Sequence, residues 1–378
     1  MAARKATDEQ IIEALNGRTV TEAASILGLH PRRVAEHKAR LAKIGIAPEH
    51  GLTVPAPEAF AMGKVTVQRN EKGEVTNTWA RYSPDVEKQL EAMRAAVKAM
   101  SRELKPEQAL AAPPVTLAHL LNCYVITDYH LGMNAWGEET GADWDMRIAE
   151  DLLVAWFSAA IAQSPDARIG VFAQLGDFLH WDGIQAVTLT SGHVLDADTR
   201  FQKLVRVAIS VIRRVTSMLL QKHEKVILLM AEGNHDLASS MWLRELFAVL
   251  YAEEPRIEVV TRPDPYYCVE HGLTSLFFHH SHKKRMDGLE TVFISKFREV
   301  FGRTKYSYAH TGHLHHNVTR ETNTMQIEQH RTLAAPDSHA SRGGWMSGRE
   351  AKCITYHSEH GEVGRITVSA DMLKGEAA

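Results

Sequence analysis

Between Val171 and His180 the chain reads VFAQLGDFLH, and between Val226 and Asp236 it reads VILLMAEGNHD. Each stretch is a short apolar run, the pattern of a buried strand, followed at once by side chains that bind metals or move protons. Three more stretches repeat the arrangement. Asp128 and His130 follow CYVIT, His279, His280 and His282 follow LFF, and His313 and His315 follow YSYAHTG. One histidine at a strand end is more often a satisfied structural residue, but five strand ends of this kind argue for one assembled site. Ligands of open α/β sheets sit outside the carboxyl ends of strands, where loops converge. Asp128 and His130 are two residues apart, so on an extended strand end they project to the same side, and His313 and His315 share that spacing.

Working outward, strands are expected over 121–127, 168–175, 226–230, 273–278 and 306–311, with helices over 145–163, 197–221, 238–251 and 288–301. A closing hairpin is expected from 354–357 and 363–368 around His360 and Gly361. Strands alternating with long helices give an α/β fold class, a layered β-sandwich flanked by helices over residues 115–378. The stretch PDSHASRGGWMSGREAKC, with His339, Arg342, Trp345 and Arg349, is expected to close over the site.

The 378 residues are 44% hydrophobic and 24% charged, with a formal net charge of -3, which excludes disorder and any global field toward DNA or membranes. Contact with nucleic acid must therefore be local. The chain has 21 histidines but only three cysteines, Cys123, Cys268 and Cys353, too few and too dispersed for a disulfide framework or a thiolate zinc site. A reducing, cytoplasmic setting is the expectation. If metal is held, imidazole and carboxylate hold it. No signal peptide or membrane span is read, so no membrane partner is expected.

Residues 1–45 read as a small all-α unit. Thr7 is expected to cap a first helix carrying Ile11, Ile12 and Leu15, and Thr21 a second that runs to Leu27. Gly28 allows a turn and Pro31 opens a third helix. Ala24, Gly28, Leu29, Val34 and Leu41 fall where a helix-turn-helix needs them, so the segment resembles that family, although His37 stands where an aliphatic residue is usual. The third helix presents Arg32, Arg33, Lys38 and Arg40, suited to phosphate and base contacts. The alternative is an adaptor bundle with a solvated basic face. Residues 46–114 read as a linker with a hairpin (65–67 and 74–79) and a helix in which Val86, Leu90, Met93, Val97, Met100 and Leu104 form a heptad seam. That seam over 86–104 either pairs two copies or lies on a neighbouring domain.

The blocks ITDYHLG, QLGDFLH, EGNHD, HHSH and TGHLHH, in that order, resemble the signature blocks of the calcineurin-like metallophosphoesterases over about 116–370. The resemblance implies two divalent ions, manganese first with iron and zinc as alternatives, and a metal-bound hydroxide as nucleophile. It implies that Asp128, His130, Asp177 and His315 hold one ion, and that Asp177, Asn234, His313 and His280 hold the other, with His279 as the alternative to His280. Asp177 would be the bridging carboxylate. His235 would stabilise the transition state or protonate the leaving oxygen, and Asp236 would either orient its ring or cap the following helix. His310 and His316 would pack or support ligands.

The block GDFLH is similar to that of the double-strand-break-repair nucleases of this superfamily, which implies that His180 helps place a phosphodiester, with Trp181 beside it to stack on a base. A supporting histidine and a rim tryptophan are the alternatives. Lys283, Lys284 and Arg285 would meet phosphate at the mouth. The combination with a helix-turn-helix resembles metallophosphoesterases of bacteriophages and prophages. The expected function is a metal-dependent phosphodiesterase, a nuclease brought to DNA by its amino-terminal unit. The competing readings are a protein or small-molecule phosphatase with an adaptor module, and a non-catalytic DNA-binding regulator.

Overall fold

In the computed structural model, alternate residues of the carboxyl-terminal half of strand β3 (Leu117–Ile126) face the same apolar interior: Leu121, Cys123 and Val125. Strands β4 (Ala167–Gln174) and β5 (Lys225–Met230) contribute Val171 and Ala173, and Ile227 and Leu229, in the same way. These residues meet Tyr267 and Val269 of β7 (Tyr267–His271) and Leu276 and Phe278 of β8 (Thr274–His279), so two sheets pack face to face. The structure describes residues 6–43, 46–50, 52, 60–71, 75–84, 111–114, 116–183, 186–187 and 194–373. The heptad seam over 86–104, with its expected dimer, lies outside them.

The larger sheet has the order β13–β12–β3–β4–β5–β6, with β6 Ile257–Val259, β12 Glu350–His357 and β13 Gly361–Ser369. Strands β3 to β6 are parallel, and β12 and β13 return antiparallel as the expected closing hairpin. The smaller sheet has the order β10–β11–β9–β8–β7, with β9 Tyr306–Thr311, β10 Val318–Glu321 and β11 Gln326–Gln329. Because β8, β9 and β11 are parallel, their carboxyl ends leave the sheet together.

Helices cover the outer faces. Alternation of apolar residues continues there, with Phe172 of β4 stacking edge-on against Phe157 of the helix Met146–Gln163 at 5.0 Å. The second long helix, Phe201–Lys222, starts four residues later than expected. On the smaller sheet, Phe277, Ala309 and Ile327 pack under Leu289 and Phe293. The single helix expected over 288–301 is two, Leu289–Lys296 and Arg298–Arg303, broken at Phe297, whose backbone leaves the helical region. Strands β6, β7, β10 and β11 escaped the reading because they are three to five residues long and β10 and β11 are largely polar.

The chain divides into two compact units, Met1–Ala96 and Val97–Ala378. In the first, helices α1 (Asp8–Leu15), α2 (Val20–Leu27) and α3 (Pro31–Lys43) enclose Ile11, Leu15, Ala24, Val34 and Leu41. Thr7 caps α1 as expected, but α2 is capped by Thr19, not Thr21, because Glu22 three residues on completes a reciprocal capping box. Gly28 ends α2 in a left-handed turn (φ 63°) that only glycine adopts without strain. Strands β1 (Phe60–Arg69) and β2 (Val75–Pro84) form a ribbon longer than the expected hairpin. Among the described residues no helix is long and apolar enough to cross a membrane.

Candidate metal centre

The loops leaving β3 and β4 stay paired beyond the strands: Asp128 N–H donates to Gly176 C=O (3.0 Å), His130 N–H to Asp177 C=O (3.0 Å) and Leu131 N–H to Phe178 C=O (2.8 Å). Gly312 N–H reaches His280 C=O (3.3 Å), tying the loops after β8 and β9 together. Asp128, Asp177, His280 and His313 thereby offer ligand atoms within 4.8 Å of one another, as do Asp128, His130 and His315. Asn234 joins them, its Oδ1 lying 3.2 Å from His280 Nε2. All seven residues expected to ligate metal are thus brought to one place. Asp128 belongs to both groups, and Asp177 to the first of them.

Five of the six described non-glycine residues with positive φ are in this set: Asp128 (50°), His130 (48°), Asp177 (51°), His313 (76°) and His315 (55°). A side chain in that region costs ~1–3 kcal/mol, and such strain concentrates at functional sites. Strand β8 ends on His279, whose ring stacks on Tyr266 (4.4 Å) and bonds to Pro265 C=O (2.9 Å). His280 instead points at Asp177 Oδ2, 3.0 Å away. Of the two alternatives, His280 is the one in the ligand group.

The carboxylates are withdrawn from water. Burial raises the Asp128 carboxyl, but His315, His280 and the hydrogen bond from His315 Nε2 (3.1 Å) hold it well below the ordinary range. Burial likewise opposes ionisation of Asp177, and His280 outweighs it. Burial alone would lower His280, yet Asp177 and Asp128 push it up to about 9. The position next to both carboxylates therefore favours positive charge, which a divalent ion would supply. Two glycines permit the close approach: a Cβ on Gly233 would stand 1.9 Å from Asp177 Oδ1, and one on Gly312 1.9 Å from Thr127 Oγ1.

His235 lies at the edge of this cluster, half-buried, with its ring 4.8 Å from that of His130. Its main-chain N–H donates to Asp177 Oδ1 (2.7 Å), and its Nδ1 to His180 C=O (2.8 Å), which leaves Nε2 outside both bonds. Asp236 neither orients that ring nor caps the next helix through its side chain. Its Oδ1 accepts from Asp177 N–H and Gly233 N–H (both 3.1 Å), and its Oδ2 from Phe178 N–H (2.8 Å) and Leu179 N–H (3.2 Å). The cap of Leu237–Leu250 is Asp182, which accepts from Ser239 N–H (2.8 Å) and Ala238 N–H. Nothing in its sequence neighbourhood marked Asp182 for this.

His180 is buried with its Nδ1 3.2 Å from His130 Nδ1 and its ring stacked on His235 (5.6 Å). Burial pushes it down to about 3, so it is neutral and supports His130 from behind. Trp181 is 1% exposed, with its ring over Gly132 and against Phe201. The base-stacking and rim readings of Trp181 are both wrong, because glycine at 132 leaves room for the indole inside the fold. Lys283, Lys284 and Arg285 are exposed beside His282, whose ring is 5.3 Å from that of His280. His282 lies beside the ligand groups and had no role assigned from the sequence.

His310 is not at the centre. Its Nδ1 meets His330 Nε2 (2.9 Å) and its Nε2 meets Tyr356 Oη (2.9 Å), while Glu328 nearby is neutralised by Lys352 Nζ at 2.6 Å. His316 is exposed and bonds to Leu314 C=O (2.7 Å). In the stretch expected to close over the site, the helix Ser338–Gly343 is held by Glu139 and Asp196, Trp345 is 61% exposed, and Arg349 donates to Leu333 C=O (2.9 Å). In the first unit Arg32 pairs with Glu36 (3.1 Å), Arg40 pairs with Asp8, Arg33 is exposed and Lys38 half-buried.

No protein-family model matches the sequence, and no curated protein matches it. Among solved structures, the chain is similar to a novel archaeal phosphodiesterase, at 12% identity, 65% of this chain, 99% of that chain and a TM-score of 0.32. It is also similar to Vps29 from Entamoeba histolytica complexed with zinc, at 10% identity, 66% of this chain, 99% of that one and a TM-score of 0.28. A 5'-nucleotidase from Candida albicans is similar at 12% identity, 71% of this chain, 54% of that one and a TM-score of 0.34.

Proposed function

We propose that the chain is a calcineurin-like metallophosphoesterase that uses two divalent ions, manganese first, to cleave phosphodiesters of DNA, and that its helical unit brings it there. The observation that carries the catalytic half is the convergence of two carboxylates, four imidazoles and an amide from five strand ends, most of them in strained backbone. Residues Asp128, His130, Asp177 and His315 would hold one ion, and Asp177, Asn234, His280 and His313 the other, with Asp177 shared between them and Asp128 in reach of both. The donor set is oxygen and imidazole without thiolate, which suits manganese, iron or zinc. When bound, such ions neutralise phosphoryl charge and acidify a water.

The chain's own residues do the rest. His235, anchored through Nδ1, presents Nε2 to receive or deliver a proton at the leaving oxygen. His180 fixes the ring of His130 from behind, and Asp236 fixes the GDFL turn that carries Asp177. Lys283, Lys284 and Arg285 stand exposed after His282, where a phosphate backbone would meet them. On α3, the pairs Arg32–Glu36 and Arg40–Asp8 are exposed and so weak enough for phosphates to displace.

The test is hydrolysis of bis-p-nitrophenyl phosphate, p-nitrophenyl phosphate, and single- and double-stranded DNA with manganese or chelator. Manganese-dependent DNA cleavage that disappears in Asp177→Asn and His235→Ala is the expected result. Turnover of the monoester alone would overturn the nuclease reading in favour of a phosphatase. Removing residues 1–45 should lower DNA affinity and its salt dependence while turnover of the small diester persists.

A further inference from the structure

The ribbon β1–β2 has two unlike faces. Its register pairs Val65 with Ala80 and Val67 with Thr78, and Val65, Val67 and Thr78 are half-buried, the Thr78 hydroxyl donating to His50 C=O. The register pairs Thr66 with Trp79 and Gln68 with Asn77, so these four share the other face, which Lys64 and Arg81 extend two residues along each strand. All six are exposed. Trp79 is 54% exposed, in the middle of a face that carries two cations, two amides and a hydroxyl but no carboxylate. Large aromatic surface left in water and rimmed by polar groups marks a contact surface, since burying an indole is otherwise among the largest gains a fold can make.

We propose that this face of the ribbon binds single-stranded nucleic acid, with Trp79 stacking on a base and Lys64 and Arg81 meeting the flanking phosphates. Every base offers a π-face to an exposed indole only when it is out of a duplex, and cations beside the stacking residue track the backbone. Duplex DNA could use Lys64 and Arg81 but would leave Trp79 idle, whereas the basic side of α3 suits a groove. The amide and hydroxyl side chains of Thr66, Gln68 and Asn77 can satisfy the polar edges of unpaired bases. The inference rests on the reading of the chain as an enzyme acting on DNA, and adds the strand state of what it holds.

The experiment uses the full chain carrying Asp177→Asn, in chelator, with fluorescein-labelled oligothymidylate of roughly twenty nucleotides and a mixed-sequence duplex of the same length. Trp79→Ala should weaken single-strand affinity ~5- to 100-fold and leave duplex affinity within about twofold, while Trp79→Phe keeps most of the binding. Lys64→Gln with Arg81→Gln should lower the slope of log affinity against log salt by about 1 to 1.5. Single-strand affinity unchanged in Trp79→Ala, or an equal loss for the duplex, overturns the proposal. Turnover of bis-p-nitrophenyl phosphate with manganese, measured on chains with Asp177 intact, should be the same with and without Trp79→Ala. Absence of turnover in the parent chain would sink the enzyme reading while the oligonucleotide data still decide the ribbon.

Discussion

Asp236→Asn is the substitution whose outcome depends most directly on the geometry described above. Each carboxylate oxygen of Asp236 accepts two buried main-chain N–H groups, Oδ1 from Asp177 and Gly233 and Oδ2 from Phe178 and Leu179. Burial and the Asp177 charge push the carboxyl up, but four donors and no acceptor face it, which favours the ionised form. Asparagine keeps one oxygen and turns an NH2 toward the other two donors. Two charge-assisted bonds worth ~1.5–3 kcal/mol each are lost, so the second unit should be destabilised by about 3–6 kcal/mol. That is a large part of a typical domain's ~5–15 kcal/mol and should lower its melting temperature by roughly 6–20 °C. Melting is followed by circular dichroism in chelator, and turnover of the small diester is measured at about 15 °C, below both transitions. If Asp236 instead oriented His235, the variant would melt within about 2 °C of the parent and lose activity alone. That pattern would refute the assignment of Asp236 to the turn, because His235 Nδ1 is already held by the His180 carbonyl.

Gly233→Ala should abolish tight binding of divalent ions in titration calorimetry, since its Cβ would meet Asp177 N at 2.3 Å as well as the carboxylate; Gly364→Ala, with open space around it, should bind normally. Asp128→Ala should lose both ions and His130→Ala one, as counted by metal analysis of the purified variants; retention of two ions by Asp128→Ala would contradict its place in both ligand groups. Burial pushes His223 down to about 4, so the neutral ring contributes stability that is present above the ordinary histidine value near 6.5 and is lost as pH falls through about 4. In urea titrations of metal-free protein, His223→Gln should narrow the difference between pH 7.5 and pH 4 by about 2–3 kcal/mol, and an unchanged difference would mean that other groups set the acid limit.

The strand-end pattern was legible because burial and chemistry alternate sharply there: an apolar run such as VILLM cannot be followed by Asn234 and His235 without delivering them to the edge of a sheet. The choice of His280 over His279 turned on one residue of strand length, and β8 ends where the choice required. What escaped had, apart from one cap, a physical reason. Trp181 follows a site histidine in sequence, but its burial depends on the space above Gly132, far earlier in the chain. Asp236 directly precedes the helix it does not cap, because the GDFL turn claims its carboxylate, and only the tertiary path of the chain brings the distant Asp182 to that helix start. The mistaken cap at Thr21 was avoidable, since Thr19 with Glu22 spells the capping box in the sequence itself. Strands β10 and β11 are held by neighbours rather than by their own composition, so no local pattern announces them.

At Asp128, His130, Asp177, His313 and His315 the backbone adopts the left-handed conformation that glycine enters without strain and that other residues, aspartate and histidine less than most, enter only at a cost. Chemistry and chain conformation therefore make opposite demands on the same five residues. A selection for thermal stability carried out without metal would reward their replacement and dismantle the centre one ligand at a time. The same selection with a divalent ion present would see the ligands defended by binding, because an ion that prefers the folded state adds its own free energy to it. The identity of these side chains is thus a trace of the solution in which the protein has had to stay folded, and directed evolution under the two conditions should read it in opposite directions.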